Sequence, residues 1–423
     1  MRIVTAEEAV SGIKSGQQVF LHGSAAVPEV LLDALVARAP ELQDVKIVSM
    51  HIEGPAPHVA PEMAGHFCHR ALFMGANVRK AVNEGRAEFI PVFLSEIPLL
   101  FERGVVPLDV CLINVTPPDA HGFCSLGTAV DTVITAIRCG KTIIAQLNKS
   151  MPRTLGDSFV HVNDIDLGVE VDVPPFYHAD PEIGDVERRI GEFVADLVQD
   201  EACLQMGIGA IPSAVCQFLH EKKDLGIHTE MFTDVLVDLV ERGVVTCQKK
   251  DIDCGKIVVT FMTGTDRLYK FVDNNPMVEM RQVDYTNDTS VIRRLRRMTA
   301  INSAIEIDLT GQVCADSIGT RMYSGVGGQM DFVRGASLAE EGRPIMAMPS
   351  TAAGGKVSRI TMALKEGAGV TTTRSHVRYV VTEYGVADLF GQSFRERAKR
   401  LIAIAHPDFR DELTAFAKKV YGL

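Results

Sequence analysis

Residues 17–51 read QQVFLHGSAAVPEVLLDALVARAPELQDVKIVSMH. QQVFLHG (17–23) and VKIVSMH (45–51) are short runs that are apolar on both faces, the pattern of a strand covered from both sides. VPEVLLDALVARAPEL (27–42), between them, repeats its apolar residues at helical spacing. The alternation continues outward. VCLINVT (110–116), KTIIAQL (141–147), KIVVTFM (256–262), PIMAMPS (344–350) and RYVVTEYG (378–385) read as further buried strands. DPEIGDVERRIGEFVADLVQDEA (180–202) and FRERAKRLIAIA (394–405) read as amphipathic helices. Strands alternating with helices predict an α/β fold with mainly parallel sheets. A polar, turn-prone stretch, PPFYHADPEIGD (174–185), sets the expected boundary, giving domains 1–185 and 186–423. Each half has a strand, a Gly-rich turn and a helix, which leaves room for two related α/β domains.

The 423 residues are enough for two or three domains at about 150 residues each. Hydrophobic residues at 46% and charged residues at 23% exclude a disordered or collagen-like chain. A net charge of −11, no basic block beyond RRLRR (293–297) and no Trp speak against a nucleic-acid partner. Nine cysteines, none in a CxxC spacing, suit a reducing cytoplasm rather than a disulfide framework. The first 20 residues hold no uninterrupted apolar core, so no signal peptide is expected. No apolar run approaches the ~18 residues of a membrane span, so no membrane partner is expected either.

Several segments could carry chemistry. In QMGIGAIPSAVCQFL (205–219) a Gly-x-Gly turn opens a helix near Pro212. Gly207 and Gly209 let backbone N–H groups approach an oxyanion or phosphate at a helix N-terminus. The same turn is also an ordinary strand-to-helix connection, and Pro212 stands where a dinucleotide fingerprint has its third Gly. In DLGIHTEMFTDVLVDLVERG (224–243) the stretch GIHTEM (226–231) holds one carboxylate, Glu230, in an otherwise uncharged run, with Asp234 and Asp238 following at helical spacing. Glu230 reads either as a helix-start acid favoured by the dipole or as a carboxylate nucleophile. SGVGGQMDFVRGA (324–336) and STAAGGKVSRI (350–360) add two more Gly-rich loops, the second with Lys356. Three such loops suit a long ligand with phosphates. VTPPDAHGFCSLGTAVD (115–131) is a rigid loop after a buried strand, open to substrate contacts or to a plain connection. His51, His58, His66 and His69 fit no standard zinc spacing and read as structural, so no metal is implied. His22, at a strand end, could line a cleft or be a satisfied core residue. Cys124 and Cys203 have no basic partner nearby in sequence to activate a thiol.

Taken in order, VTPPDAHGFCSLG (115–127), NKSMPRTLGDSFVH (148–161), QMGIGAIPSAV (205–215), LGIHTEMFTD (225–234), FMTGTDRLYKFVDNNP (261–276), SGVGGQMDF (324–332) and TEYGVADLFGQSFRERAKRLIAIAHPDFRDEL (382–413) resemble the acetyl-CoA hydrolase/transferase family over nearly the whole chain. Within it they are most similar to the 4-hydroxybutyrate and butyrate:acetate CoA-transferases. The resemblance implies two α/β domains with the active site between them. It implies coenzyme A as substrate and covalent intermediate, and Glu230 as the nucleophile of a ping-pong cycle through a glutamyl-CoA thioester. By the same resemblance Gly207, Ile208, Gly209, Ala210 and Ile211 lie along CoA, and Gly327 and Gly328 contact it. Relatives place an acyl-pocket residue near His22. Gln205 and the Gly207 N–H are candidate oxyanion donors, each such donor being worth ~3–4 kcal/mol. Lys356 is a candidate phosphate partner from its charge; the MAMPS stretch (346–350) lacks the Lys of some relatives.

The leading expectation is therefore CoA transfer from a short-chain acyl-CoA to a free carboxylate such as acetate, by a cytoplasmic homodimer or higher homo-oligomer. Plain acyl-CoA hydrolysis is the alternative. A non-catalytic acyl-CoA-binding protein and a nicotinamide-dependent dehydrogenase stand further off; the missing third Gly speaks against the latter.

Overall fold

The computed structural model describes residues 1–179 and 181–423. The chain forms two compact units. The first comprises Met1–Ala179, Val258–Thr286 and Tyr323–Gly327, the second Asp180–Ile257, Asn287–Met322 and Gly328–Leu423.

The first unit is built on an eight-stranded sheet: β1 (Arg2–Ile3), β2 (Gln18–Leu21), β3 (Val45–Ser49), β4 (Phe67–Ala71), β5 (Glu88–Phe89), β6 (Val110–Val115), β7 (Thr142–Asn148) and β8 (Leu167–Val171). Its order is β1-β8-β7-β6-β2-β3-β4-β5, and every neighbouring pair is parallel. The quoted 17–51 stretch is a crossover between neighbouring strands: β2 and β3 pair with Val19 opposite Ile47, and α1 (Glu29–Ala37) connects them. Leu31, Leu32 and Leu35 bury the inner face of α1. The helix is shorter than its apolar pattern. Pro28 precedes it, and Pro40 lies in a separate 3-10 turn, 39–41.

The second unit holds β9 (Cys203–Met206), β10 (Gly226–Ile227), β11 (Thr299–Asn302), β12 (Arg343–Ala347), β13 (Tyr379–Thr382) and β14 (Gly385–Asp388). They lie in the order β10-β9-β11-β12-β13-β14, parallel except for the last pair. RYVVTEYG thus becomes the start of a hairpin rather than one strand. Helix α2 (Asp185–Leu197) packs on α3 (Ala210–Gln217), where Gly191 lies so close to Ala214 that a Cβ would meet its backbone. Helix α2 starts five residues later than the predicted 180–202 stretch, whose first residue lies outside the described ones. Helices α4 (Asp234–Glu241) and α5 (Gln329–Leu338) complete the elements needed below.

The two units do not follow a single cut at residue 185. The segment 258–286 joins the first unit because its backbone bonds there. Met262 N–H donates to Thr128 O, Met280 N–H to Leu155 O, and Asp157 N–H back to Met280 O. KIVVTFM accordingly joins neither large sheet. It breaks at Thr260, whose carbonyl takes the N–H groups of Val130 and Asp131. Gly327 is held to the first unit by the Leu94 N–H on its carbonyl, at 3.0 Å. Among the described residues no helix is long and apolar enough to cross a membrane.

Candidate active site

In the second sheet the chain enters at β9, places β10 on one side and β11 on the other. Open parallel sheets bind ligands at such a reversal, outside the carboxyl ends of the strands. Those ends carry Gln205–Gly207, Asn302 and, beyond β10, His228–Glu230.

The local geometry brings GIHTE beside QMG. His228 N–H continues the ladder onto Leu204 O at 3.1 Å. Thr229 is fully buried; its hydroxyl donates to Met206 O at 3.1 Å and accepts from Met206 N–H at 3.2 Å. The residue before Glu230 is thus fastened to the residue before Gly207. Glu230 is not a helix start, since Met231–Phe232 is extended and α4 begins at Asp234. Asp238 serves the helix surface, 2.7 Å from Arg242 and 3.4 Å from His220.

Glu230 is partly buried. Its Oε1 accepts from Asn287 Nδ2 at 2.8 Å, and its carboxylate also accepts the backbone N–H of Gly328. Asn287 is fully buried and donates as well to Asp331 Oδ2 at 3.2 Å. Desolvation pushes the Glu230 carboxyl up to about 7, and the charge of Asp331 adds to the rise; the two hydrogen bonds to the ionised form oppose it. Gly328 admits no side chain: a Cβ would collide with Glu230 Oε1 and Asn287 Nδ2.

The other residues singled out from sequence fall as follows. Gln205 is buried in β9, and its amide oxygen accepts from Asn302 Nδ2 at 3.0 Å, leaving NH2 as its donor end. Around Gly207 a Cβ would meet nothing within 4 Å, so its backbone is open to approach. Gly209 has φ +112, a conformation L side chains rarely adopt, and caps α3. Ile208 is 45% exposed, Ala210 is partly buried and Ile211 nearly buried. Gly327 belongs to the first unit and Gly328 to the second. Lys356 is exposed at the tip of a hairpin between Thr351–Ala352 and Val357–Ser358.

His22 is fully buried in the first unit. Its Nε2 lies 2.9 Å from Ala129 O and its Nδ1 accepts from Asn114 N–H at 3.2 Å, so both nitrogens are engaged and burial holds the ring neutral. His58 and His69 form a buried pair at 2.9 Å, His66 bonds Leu42 O and His51 bonds Glu53. Among the described residues no group of three His, Cys, Asp or Glu is placed to hold a metal. All nine cysteines are free; burial pushes Cys124 up to about 11 and Cys203 up to about 12, which keeps both as thiols.

Sequence reasoning missed Asn287 and Asp331. Asn287 lies 57 residues from Glu230 in an unremarkable turn, with no local signal. Asp331 was visible inside SGVGGQMDFVRGA, read there only as a Gly-rich loop.

Comparison with known proteins bears on the whole chain. Residues 1–176 match the acetyl-CoA hydrolase/transferase N-terminal domain and residues 264–417 its C-terminal domain. A 4-hydroxybutyrate coenzyme A transferase of Clostridium kluyveri is 50% identical over 418 residues, 99% of this chain and 97% of that protein. A succinyl-CoA:acetate/propanoyl-CoA:succinate CoA transferase of Fasciola hepatica is 49% identical, covering 96% of this chain and 86% of that one. The crystal structure of a 4-hydroxybutyrate CoA-transferase from Porphyromonas gingivalis superposes with a TM-score of 0.86 at 38% identity, covering 99% of this chain and 97% of that one. With both domain matches in order and half of all positions identical to one relative, the chain belongs to the acetyl-CoA hydrolase/transferase family.

Proposed function

We propose that this chain is a CoA-transferase that moves CoA between a short-chain acyl-CoA, 4-hydroxybutyryl-CoA or butyryl-CoA, and a free carboxylate such as acetate. The observation that carries the reading is Glu230: a desolvated carboxylate at the sheet reversal that accepts from two N–H donors. The names of the relatives, 4-hydroxybutyrate and butyryl-CoA:acetate transferases among them, support the substrate class.

The cycle conserves the thioester. An ionised Glu230 oxygen attacks the acyl carbonyl carbon, the C–S bond breaks and CoA thiolate leaves an acyl-glutamyl anhydride. The thiolate then attacks Glu230 Cδ, expelling the acyl group as a free carboxylate and leaving glutamyl-CoA. An acceptor carboxylate attacks the same carbon and the two steps run backwards. When Cδ is attacked, negative charge gathers on the Glu230 oxygen that stays behind; with Oε1 in that place, Asn287 Nδ2 already faces it and needs no reorganisation, while the Gly328 N–H lies on the same carboxylate. The Gln205 NH2 and the Gly207 N–H are the donors for the substrate's own carbonyl oxygen. Gly207, Ile208, Gly209, Ala210 and Ile211 line the CoA arm with Gly327 and Gly328, and Lys356 takes a CoA phosphate.

Intact-protein mass spectrometry with butyryl-CoA and no acceptor tests this. A gain equal to CoA minus water, discharged by acetate with formation of acetyl-CoA, is the expected result. Steady CoA release into water without an adduct would make the protein a hydrolase, and neither adduct nor turnover would leave a binding protein. Because the attacking form is ionised, kcat/KM for the acyl-CoA is expected to climb with pH through about 7. A profile already flat at pH 6 would show that the carboxylate is not desolvated in solution.

A further inference from the structure

The Asn287 amide nitrogen carries two hydrogens, one directed to Glu230 Oε1 at 2.8 Å and one to Asp331 Oδ2 at 3.2 Å. An Asn side chain has no intrinsic preference for which end it presents. A half-turn about its last bond would set its carbonyl against Glu230, acceptor against acceptor. Ionised carboxylates only accept, so two of them on the same side of the amide both select its nitrogen end.

We propose that Asp331 is a positioning residue of this site: by taking one N–H of Asn287 it locks the amide with the other N–H aimed at Glu230. This rests on the reading of Glu230 as nucleophile. The fold makes the lock stiff. Gly328 caps α5 and Asp331 lies in its first turn, so one four-residue stretch supplies both the N–H on Glu230 and the carboxylate on Asn287. Phe332 and Ala336 of α5 share a buried core with Ile292 and Leu295, which closely follow Asn287 in the chain. The helix and the segment just after Asn287 are thus packed into one core. The arrangement has an electrostatic cost. Asp331 is the charged group whose field opposes ionisation of Glu230, while Asn287 and the Gly328 N–H favour it.

Two substitutions separate acceptor from charge. Asp331→Asn keeps an oxygen for Asn287 and removes the charge. Its kcat/KM profile is expected to rise at lower pH than that of the wild type, with a plateau close to it. Asp331→Ala removes the acceptor, and its plateau kcat is expected to fall by about ten- to a hundredfold as Asn287 loses its aim. A merely structural Asp331 would lower the melting temperature of both variants and leave pH profile and plateau rate per folded enzyme unchanged. That result overturns the proposal, as does an Asp331→Ala protein with the wild-type plateau. Glu230→Gln is measured alongside. If it still acquires CoA covalently, the nucleophile reading falls. If it does not, and the Asp331 variants behave as wild type, only the positioning role falls.

Discussion

Glu230→Ala is expected to abolish the covalent CoA adduct and to lower turnover by about 10⁴-fold or more, the scale seen when a nucleophile is removed from an otherwise intact site. The loss should be in kcat rather than in acyl-CoA binding. The Gly-rich turn at 207–209 is held by β9 and α3 and does not depend on the Glu230 side chain. Nor should the fold suffer. The backbone at this point is fixed by Thr229 on Met206 and by His228 on Leu204, both of which survive the substitution. The measurement is intact mass after incubation with butyryl-CoA, together with steady-state transfer to acetate. An Ala variant that still gained CoA would move the covalent step to another residue.

Asn287→Ala carries the second-largest expected effect. It removes one of the two donors to the Glu230 carboxylate, and a preorganised donor of this kind is worth about 10²–10³ in kcat. It also leaves Gly328 N–H alone to favour the ionised carboxylate, with the Asp331 charge still opposing. The acid side of the pH profile should therefore move above about 7, opposite in sign to the shift expected for Asp331→Asn. Opposite movements from two neighbours of one carboxylate would be hard to obtain by general loosening. A Asn287→Ala enzyme with a wild-type profile and rate would show that the 2.8 Å contact plays no part in the reaction.

The α/β class was legible because buried parallel strands are apolar on both faces, as in QVFL of β2, all four residues of which are buried. The interleaved division into units was not, because local composition carries no trace of which backbone groups the 258–286 segment bonds to. The Glu230 segment stood out as one charge in an uncharged run, yet its spacing left a helix start open. The extended Met231–Phe232 pair excludes the helix start, and the Thr229–Met206 pairing that holds the segment spans 23 residues. Asn287 was invisible for a related reason. An Asn in a turn is ordinary, and what distinguishes this one is complete burial between two carboxylates drawn from other parts of the chain. His22 shows the reverse case. Its place at a strand end invited a pocket role, while its two nitrogens tie the end of β2 to Ala129 and Asn114.

The interleaving of the two units has a consequence for the protein as it leaves the ribosome. The eight-stranded sheet is encoded by residue 171, but its unit also needs 258–286 and 323–327. At about 5–20 residues per second, the nascent first unit waits on the order of ten seconds for its last pieces. Until residues 260–262 have been made, the carbonyl of Thr128 and the N–H groups of Val130 and Asp131 lack their native partners. Asn287 and Gly328, the two donors to Glu230, are each the first residue after one of those late pieces. Glu230 is thus translated well before the two groups that bond its carboxylate, and a chain released early would carry it without them.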